Sequence, residues 1–70
     1  MTRKLETDGY CYVDCEIRIL TDRAVLVHDG KRDAWIPRNQ IEDPDPATLE
    51  AGQHVELLVA EWLATEKGLT

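Results

Sequence analysis

An eleven-residue segment, YCYVDCEIRIL at residues 10–20, alternates between apolar and polar side chains. Its odd-numbered positions hold the apolar residues Cys11, Val13, Cys15, Ile17 and Ile19. A period of two is the side-chain period of a β-strand, whereas a helix would repeat every 3.6 residues. The segment therefore predicts a long strand with one face toward a core and the other toward solvent.

Two more strands are predicted shortly after this segment. AVLVH at 24–28 follows a short turn, and Asp29-Gly30 is a hairpin signal in front of a strand at 33–36. Pro37 cannot donate a hydrogen bond to a neighbouring strand, so the strand ends there or lies at an edge. The polar residues 38–40 are then expected to turn the chain and return Ile41 to the core.

The C-terminal half predicts a capped turn and a fourth strand. Asp45-Pro46 is typical of an N-cap followed by a proline in the first turn. Leu49 is expected to plug one end of the core. The alternation of HVELLV at 54–59 places Val55, Leu57 and Val59 on one inward face.

The last segment, EWLATEKG at 61–68, predicts a short helix with Trp62 and Leu63 on its buried side. Lys67 suits the negative end of the helix dipole, and Gly68 suits the position just past the helix. The chain is thus predicted to be mainly β with a short C-terminal α-helix. The expected architecture is a small antiparallel, partly open barrel of the SH3-like kind, or a four-stranded sheet with the helix on one face.

Seventy residues form one domain with a small core. Residues 1–9 are predicted to be a flexible N-terminal arm, and residues 10–70 a single small β-rich domain. A homodimer would add burial to a thin stability margin. Tyr10, Tyr12, Leu20, Leu26 and Leu58 have outward parity and would suit such an interface if they formed one patch.

The formal charge of −6 is concentrated in one half of the chain. Residues 1–38 carry seven acids and seven bases, whereas residues 39–70 carry seven acids and Lys67 alone. Such a field disfavours direct binding to nucleic acid and favours a partner protein with a basic surface. The alternative is that the acids only keep the protein in solution.

The cysteines and histidines, which often form metal and catalytic sites, are not spaced for either kind of site in this sequence. Cys11 and Cys15 are four residues apart on a predicted strand, about 13 Å, which is too far for one zinc ion or one disulfide. They are expected to be buried core thiols. His28 and His54 have no neighbouring nucleophile, and the chain has no serine. We therefore expect no enzyme, no metal and no cofactor.

The cellular location is also constrained by the sequence. No apolar signal-peptide core follows Met1, and no segment has the length of a membrane span. Two cysteines without a secretory signal are typical of reduced thiols. A cytoplasmic protein that does not enter a membrane is expected.

Trp35 is the candidate apolar anchor of a binding site. If Ile36 faces the core, Trp35 faces solvent or the rim, and exposed tryptophans are frequent interface anchors. The alternative is that Trp35 packs against the terminal helix or covers an open end of the barrel.

Two runs of the sequence, AVLVHDGKRDAWIPRNQIED and VELLVAEWLATEKGL, resemble small proteins encoded by bacteriophages and prophages. Those proteins have a hairpin, a Trp-hydrophobic-Pro-basic-polar-Gln motif, an acidic stretch and a closing Glu-Trp-Leu-Ala helix. The resemblance covers residues 24–43 and 55–69, about half of the chain. Ala60 stands where the pattern has proline, which predicts a poor first turn for the helix.

The resemblance implies a bacterial host cytoplasm and a binding role rather than a defined activity. Small acidic phage proteins often occupy a surface of a host protein, and anti-CRISPR proteins are the best-populated class of this kind. The first hypothesis is therefore an anti-CRISPR-like inhibitor that blocks a basic nucleic-acid-binding surface. Its predicted partner-binding residues are Trp35, Glu42, Asp43, Asp45, Glu50 and Glu56.

Two other functions remain open on the sequence. The chain could be an accessory protein–protein module of phage replication or recombination. It could also bind single-stranded nucleic acid through Trp35 and the tyrosines, next to Lys31, Arg32 and Arg38.

Overall fold

A computed structural model describes the backbone of residues 2–4 and all of residues 9–69. The strands and the helix, in chain order, are β1 Thr2–Lys4, β2 Tyr10–Leu20, β3 Ala24–His28, β4 Asp33–Pro37, β5 Ile41–Asp43, β6 His54–Ala60 and α1 Glu61–Glu66. Two single 3₁₀ turns, Arg38–Gln40 and Pro46–Thr48, flank β5. The predicted N-terminal arm thus contains a paired strand at 2–4, and its residues 5–8 lie outside the described part.

The six strands of the described residues belong to one antiparallel sheet with the order β4-β3-β2-β6-β5, and β1 pairs with β2 beside this path. β2 is the central strand because its C-terminal half pairs with β3 and its N-terminal half pairs with β6. The prediction of a mainly β chain with a short C-terminal helix is confirmed. The sheet has six strands rather than four, and its outer strands β4 and β5 do not pair in the described residues, so it does not close into a barrel.

One prediction for β2 is wrong at its C-terminal end. Ile17 lies opposite Val27 but Ile19 lies opposite Leu26, so Arg18 is an extra residue in a β-bulge. A bulge reverses the facing of the residues after it. Ile19 is therefore 48% exposed, and Leu20, which was expected to face outward, packs against the core.

The core is formed by one face of the sheet, Leu49 and the C-terminal segment. Its buried residues are Cys11, Val13, Cys15, Ile17, Val25, Val27, Ala34, Ile36, Ile41, Leu49, Leu57, Val59, Leu63, Ala64 and Leu69. A helix of six residues is only about 9 Å long, too short to cover this face alone. The sheet must therefore curl around its own core, which makes its other face convex.

The terminal helix begins without a side-chain cap and ends at a glycine. Ala60 supplies no side-chain cap, and the N–H of Glu61 instead donates to the carbonyl of Gly9 at 2.7 Å. Gly68 ends the helix with a φ of 75°, and the N–H of Leu69 donates to the carbonyl of Ala64.

The buried side of the helix is formed by Leu63 and Ala64, with Leu69 just beyond it. Trp62 was expected beside Leu63, yet it is 60% exposed. Neighbouring residues in a helix point about 100° apart, so a short helix that buries positions 63 and 64 turns position 62 outward.

The segment between β4 and β6 follows its turn chemistry. The chain turns after Pro37 through Arg38–Gln40, and Ile41 returns to the core as predicted. The carboxylate of Asp45 accepts a hydrogen bond from the N–H of Ala47 at 3.0 Å, which caps the turn that Pro46 opens. Leu49 is buried, as expected of a plug.

Candidate functional site

The convex side of the sheet, here called the outer face, is a solvent-exposed surface formed by regular strands. It consists of the solvent-facing residues of β2, β3, β4 and β6 together with Asp43 of β5. The strand register sorts these residues into rows of side chains that lie opposite one another on adjacent strands. Neighbouring residues in one row are about 5 Å apart, and successive rows are about 7 Å apart.

An apolar row crosses three strands at one end of the outer face. Trp35 of β4 lies opposite Leu26 of β3, and Leu26 lies opposite Ile19 of β2. Trp35 is 43% exposed, and the prediction that it faces solvent while Ile36 faces the core is confirmed. The bulge at Arg18 completes this row because it turns Ile19 outward.

The next row is polar and contains both histidines of the chain. From β6 to β4 it runs His54, Glu16, His28 and Asp33. Asp33 Oδ1 lies 2.9 Å from His28 Nδ1, and Asp14 Oδ1 lies 2.6 Å from His54 Nε2. Glu16 contacts Arg18, with 3.4 Å between the guanidinium nitrogen and the carboxylate oxygen.

Two further rows complete the outer face. Asp14 lies opposite Glu56, and beyond them Tyr12 lies opposite Leu58, which in turn lies opposite Asp43. The outer face is therefore acidic in its centre, with apolar side chains on both sides of the acidic rows.

The structure brings only part of the predicted acidic set onto this face. Glu56 and Asp43 belong to it, and Glu42 is exposed in the irregular pairing of β5. Asp45 caps a turn through its carboxylate, and Glu50 lies in the turn before β6, where its N–H binds Gln53 Oε1. The predicted residues therefore follow the β5 edge and its loop rather than forming one patch.

Asp14 and Glu16 are functional candidates that sequence reasoning placed outside the acidic half. They lie on the first strand, and the register with β6 brings them beside Glu56 and His54. The alternation of β2 already indicated that they face solvent. Their neighbours could not be read from the sequence because they depend on pairing across some forty residues.

A shallow pocket of about 430 Å³ opens where the polar row meets two turns. Its lining includes Asp14, Glu16, His28, Asp29, Gly30, Gly52 and His54. Burial on its own would raise the pKa of Asp29. Hydrogen bonds from the N–H groups of Arg32 and Lys31 and the nearby charge of Arg32 outweigh it, so this pKa is lowered.

The thiols are buried, as predicted. Cys11 and Cys15 are each 1% exposed and are not bonded to each other. Burial, with a smaller contribution from the charge of Asp14, raises the pKa of Cys15 to about 12. A thiol in this state is a poor nucleophile. Within residues 9–69, no three His, Cys, Asp or Glu side chains are arranged to hold a metal ion.

Two of the three basic residues near Trp35 are engaged in the fold. The Arg38 guanidinium donates to the carbonyls of Thr21 and Pro46, at 2.7 and 3.1 Å. The Arg32 side chain lies against Gly68 at the end of α1. On β4, the neighbour of Trp35 on the same face is Asp33 rather than a basic residue.

Comparison with known proteins gives no significant match to a family model, a curated protein or a solved structure. In the described residues, no helix has both the length and the apolar character needed to span a membrane.

Proposed function

We propose that this protein is a binding module that docks on a basic surface of a partner protein through its outer face. One observation carries the proposal: the sheet register gathers Asp14, Glu16, Glu56 and Asp33 on one solvent-facing surface, beside the exposed Trp35. Acidic centres speed the encounter with basic partners, and a desolvated tryptophan supplies affinity that surface charges alone do not.

The shape of the outer face favours a concave site on the partner. Because the sheet curls around its core, the carboxylates project from a convex surface that would fit into a groove. Basic grooves of this kind are typical of proteins that bind nucleic acid. The same acids oppose pairing of two copies through this face, because like charges would meet there.

The specific role that we propose is an anti-CRISPR-like inhibitor in the cytoplasm of a bacterial host. The support for it is the resemblance of residues 24–43 and 55–69 to small phage proteins, together with the acidic centre of the outer face. In this role the protein would occupy the groove that a CRISPR effector complex uses for nucleic acid.

The test is DNA binding by a panel of purified CRISPR effector complexes, with and without this protein. We expect at least one complex to lose target-DNA binding. The double variant Asp14→Lys with Glu56→Lys should restore that binding, because it places positive charge in the centre of the outer face. The matched control is Asp22→Lys with Glu66→Lys, which changes the same charge at exposed positions away from this face.

Other results would point to the remaining functions. If no complex is inhibited and the protein instead captures a phage replication or recombination protein, the accessory-module hypothesis replaces the inhibitor. Salt-sensitive binding of the protein itself to a labelled oligonucleotide would indicate single-stranded nucleic-acid binding.

A further inference from the structure

A pocket between the two histidines forms a concave site in the acidic centre of the outer face. Its volume of about 430 Å³ lies within the range that accommodates a small ligand or a single large side chain. Glu16 lies between His28 and His54 in the polar row, and two glycine turns, at Gly30 and Gly52, border the opening. Because glycine has no side chain, nothing projects from these two positions to narrow the opening.

The polar groups of the pocket favour a planar cation. Asp14, Glu16 and Asp29 supply carboxylate oxygens, and His28 and His54 supply imidazole rings. Each ring is held by its own carboxylate, since His28 contacts Asp33 and His54 contacts Asp14. Glu16 contacts Arg18 through one of its two carboxylate oxygens. Adjacent strands are about 5 Å apart, so the backbones of β3 and β6 are separated by about 10 Å with Glu16 between them.

We propose that this pocket binds the guanidinium group of an arginine side chain on the partner protein. The inference rests on the proposed function and specifies the side chain through which the basic partner is recognised. A guanidinium fits because its planar fork of five N–H donors can reach oxygens of more than one carboxylate, and because its plane stacks on flat rings. An ammonium group lacks both properties, so lysine should bind more weakly.

The charged groups that face the two histidines are Asp14, Glu16 and Arg18 on β2, Asp29 in the hairpin, Asp33 on β4 and Glu56 on β6. Five of these six groups are carboxylates, so the surroundings of the pocket favour a cation over an anion.

The experiment is a titration of the full ¹⁵N-labelled chain with N-acetyl-arginine methylamide, followed by NMR amide shifts. We expect saturable shifts in residues 28–30 and 52–54, with a Kd on the order of millimolar, as suits one side chain. The citrulline analogue has the same shape without the charge and should bind at least about tenfold more weakly.

Two variants separate binding from structure. Glu16→Gln should weaken the probe about three- to tenfold, whereas Asp22→Asn, which is outside the pocket, should not change it. The double variant His28→Gln with His54→Gln should also weaken the probe, because it removes both rings on which the guanidinium stacks. Unchanged amide spectra away from the substitutions verify that each variant is folded.

The proposal is overturned if the citrulline analogue shifts the same amides with equal affinity, or if Glu16→Gln has no effect. This outcome leaves the proposed function intact when the outer-face charge reversals still abolish inhibition. If the probe binds as expected but no partner is inhibited, the pocket stands and the proposed function fails.

Discussion

The two faces of the sheet share the same strands and differ in almost every other respect. The inner face is uniformly apolar, and seven of its residues have no exposed surface at all: Val13, Ile17, Val25, Val27, Ile36, Leu57 and Val59. The outer face changes from apolar to polar to apolar within four rows. Burial requires apolar side chains on the inner face, whereas the solvent-exposed outer face can carry charged groups, aromatic rings and histidines. We therefore expect substitutions on the inner face to change stability and those on the outer face to change binding.

The sharpest test compares two neighbours on β4. Ile36→Ala should lower the free energy of unfolding by about 2–5 kcal/mol, because it leaves a cavity in a fully buried site. Trp35→Ala removes a larger side chain, but one that is 43% exposed, and it should therefore cost less than Ile36→Ala. Chemical denaturation of both variants measures the difference. Equal changes in the free energy of unfolding would contradict the expectation that the inner face determines stability and the outer face does not.

The bulge at Arg18 makes a second comparison, in which a strictly alternating strand would give the opposite result. Leu20→Ala should destabilise the protein by about 1–2 kcal/mol because Leu20 packs against the core. Ile19→Ala should cost within about 0.5 kcal/mol because Ile19 faces solvent. If Ile19→Ala destabilises the protein more than Leu20→Ala, the bulge is contradicted, and so is the apolar row that depends on it.

The buried thiol gives the inner face a dependence on alkaline pH. The folded state raises the pKa of Cys15 from 9.0 to about 12, so it holds a proton that the unfolded chain releases. Stability is then complete below pH 9 and falls as the pH rises toward 12, by about 1 kcal/mol at pH 10. Denaturation of the wild type and Cys15→Ala between pH 8 and pH 10.5 should show the steeper decline in the wild type. Parallel curves would contradict the burial of this thiol.

The smallest expected effect on stability is on the outer face. Glu56→Lys places a positive charge opposite Asp14 and should change the free energy of unfolding by at most about 0.5 kcal/mol. Partner binding should nevertheless weaken strongly, and wild-type binding should decline with added salt. A partner whose affinity ignores both the substitution and the salt would leave the acids with a role in solubility alone.

The register also changes which variants are useful controls. From the sequence, Asp14 and Glu16 would be grouped with the charge-balanced half and treated as neutral positions. In the sheet they lie at the centre of the acidic rows. The appropriate controls are Asp22 and Glu66, which are exposed in a turn and in α1.

The elements that were predicted correctly from the sequence are those with local signals. The bounds of β2 and β3 were predicted residue for residue, because alternation and turn residues are local signals. The cap at Asp45 and the helix end at Gly68 were predicted for the same reason. The bulge has no such signal, since RIL reads equally well in either register.

The parts that failed depend on contacts between distant segments. β1 and β5 have three residues each, too few for a pattern to be recognised. Trp62 was placed inside because a tryptophan usually is, but the packing of α1 against β2 and β6 selects Leu63 and Ala64 instead. The candidate site was predicted only at Trp35, Asp43 and Glu56, because acids close in sequence are not the acids that the register brings together.

The position of β2 at the centre of the sheet has a kinetic consequence. Ile17 meets Val27 in a local hairpin, whereas Cys11 meets Val59 across nearly fifty residues of chain. Closing the longer loop costs more entropy before any contact is gained. β2 should therefore form from its C-terminal half, with high φ-values at Ile17 and Val27 and low ones at Cys11 and Val59. A single strand would then be half assembled in the folding transition state, and only the arrival of β6 would complete both the core and the acidic centre of the outer face.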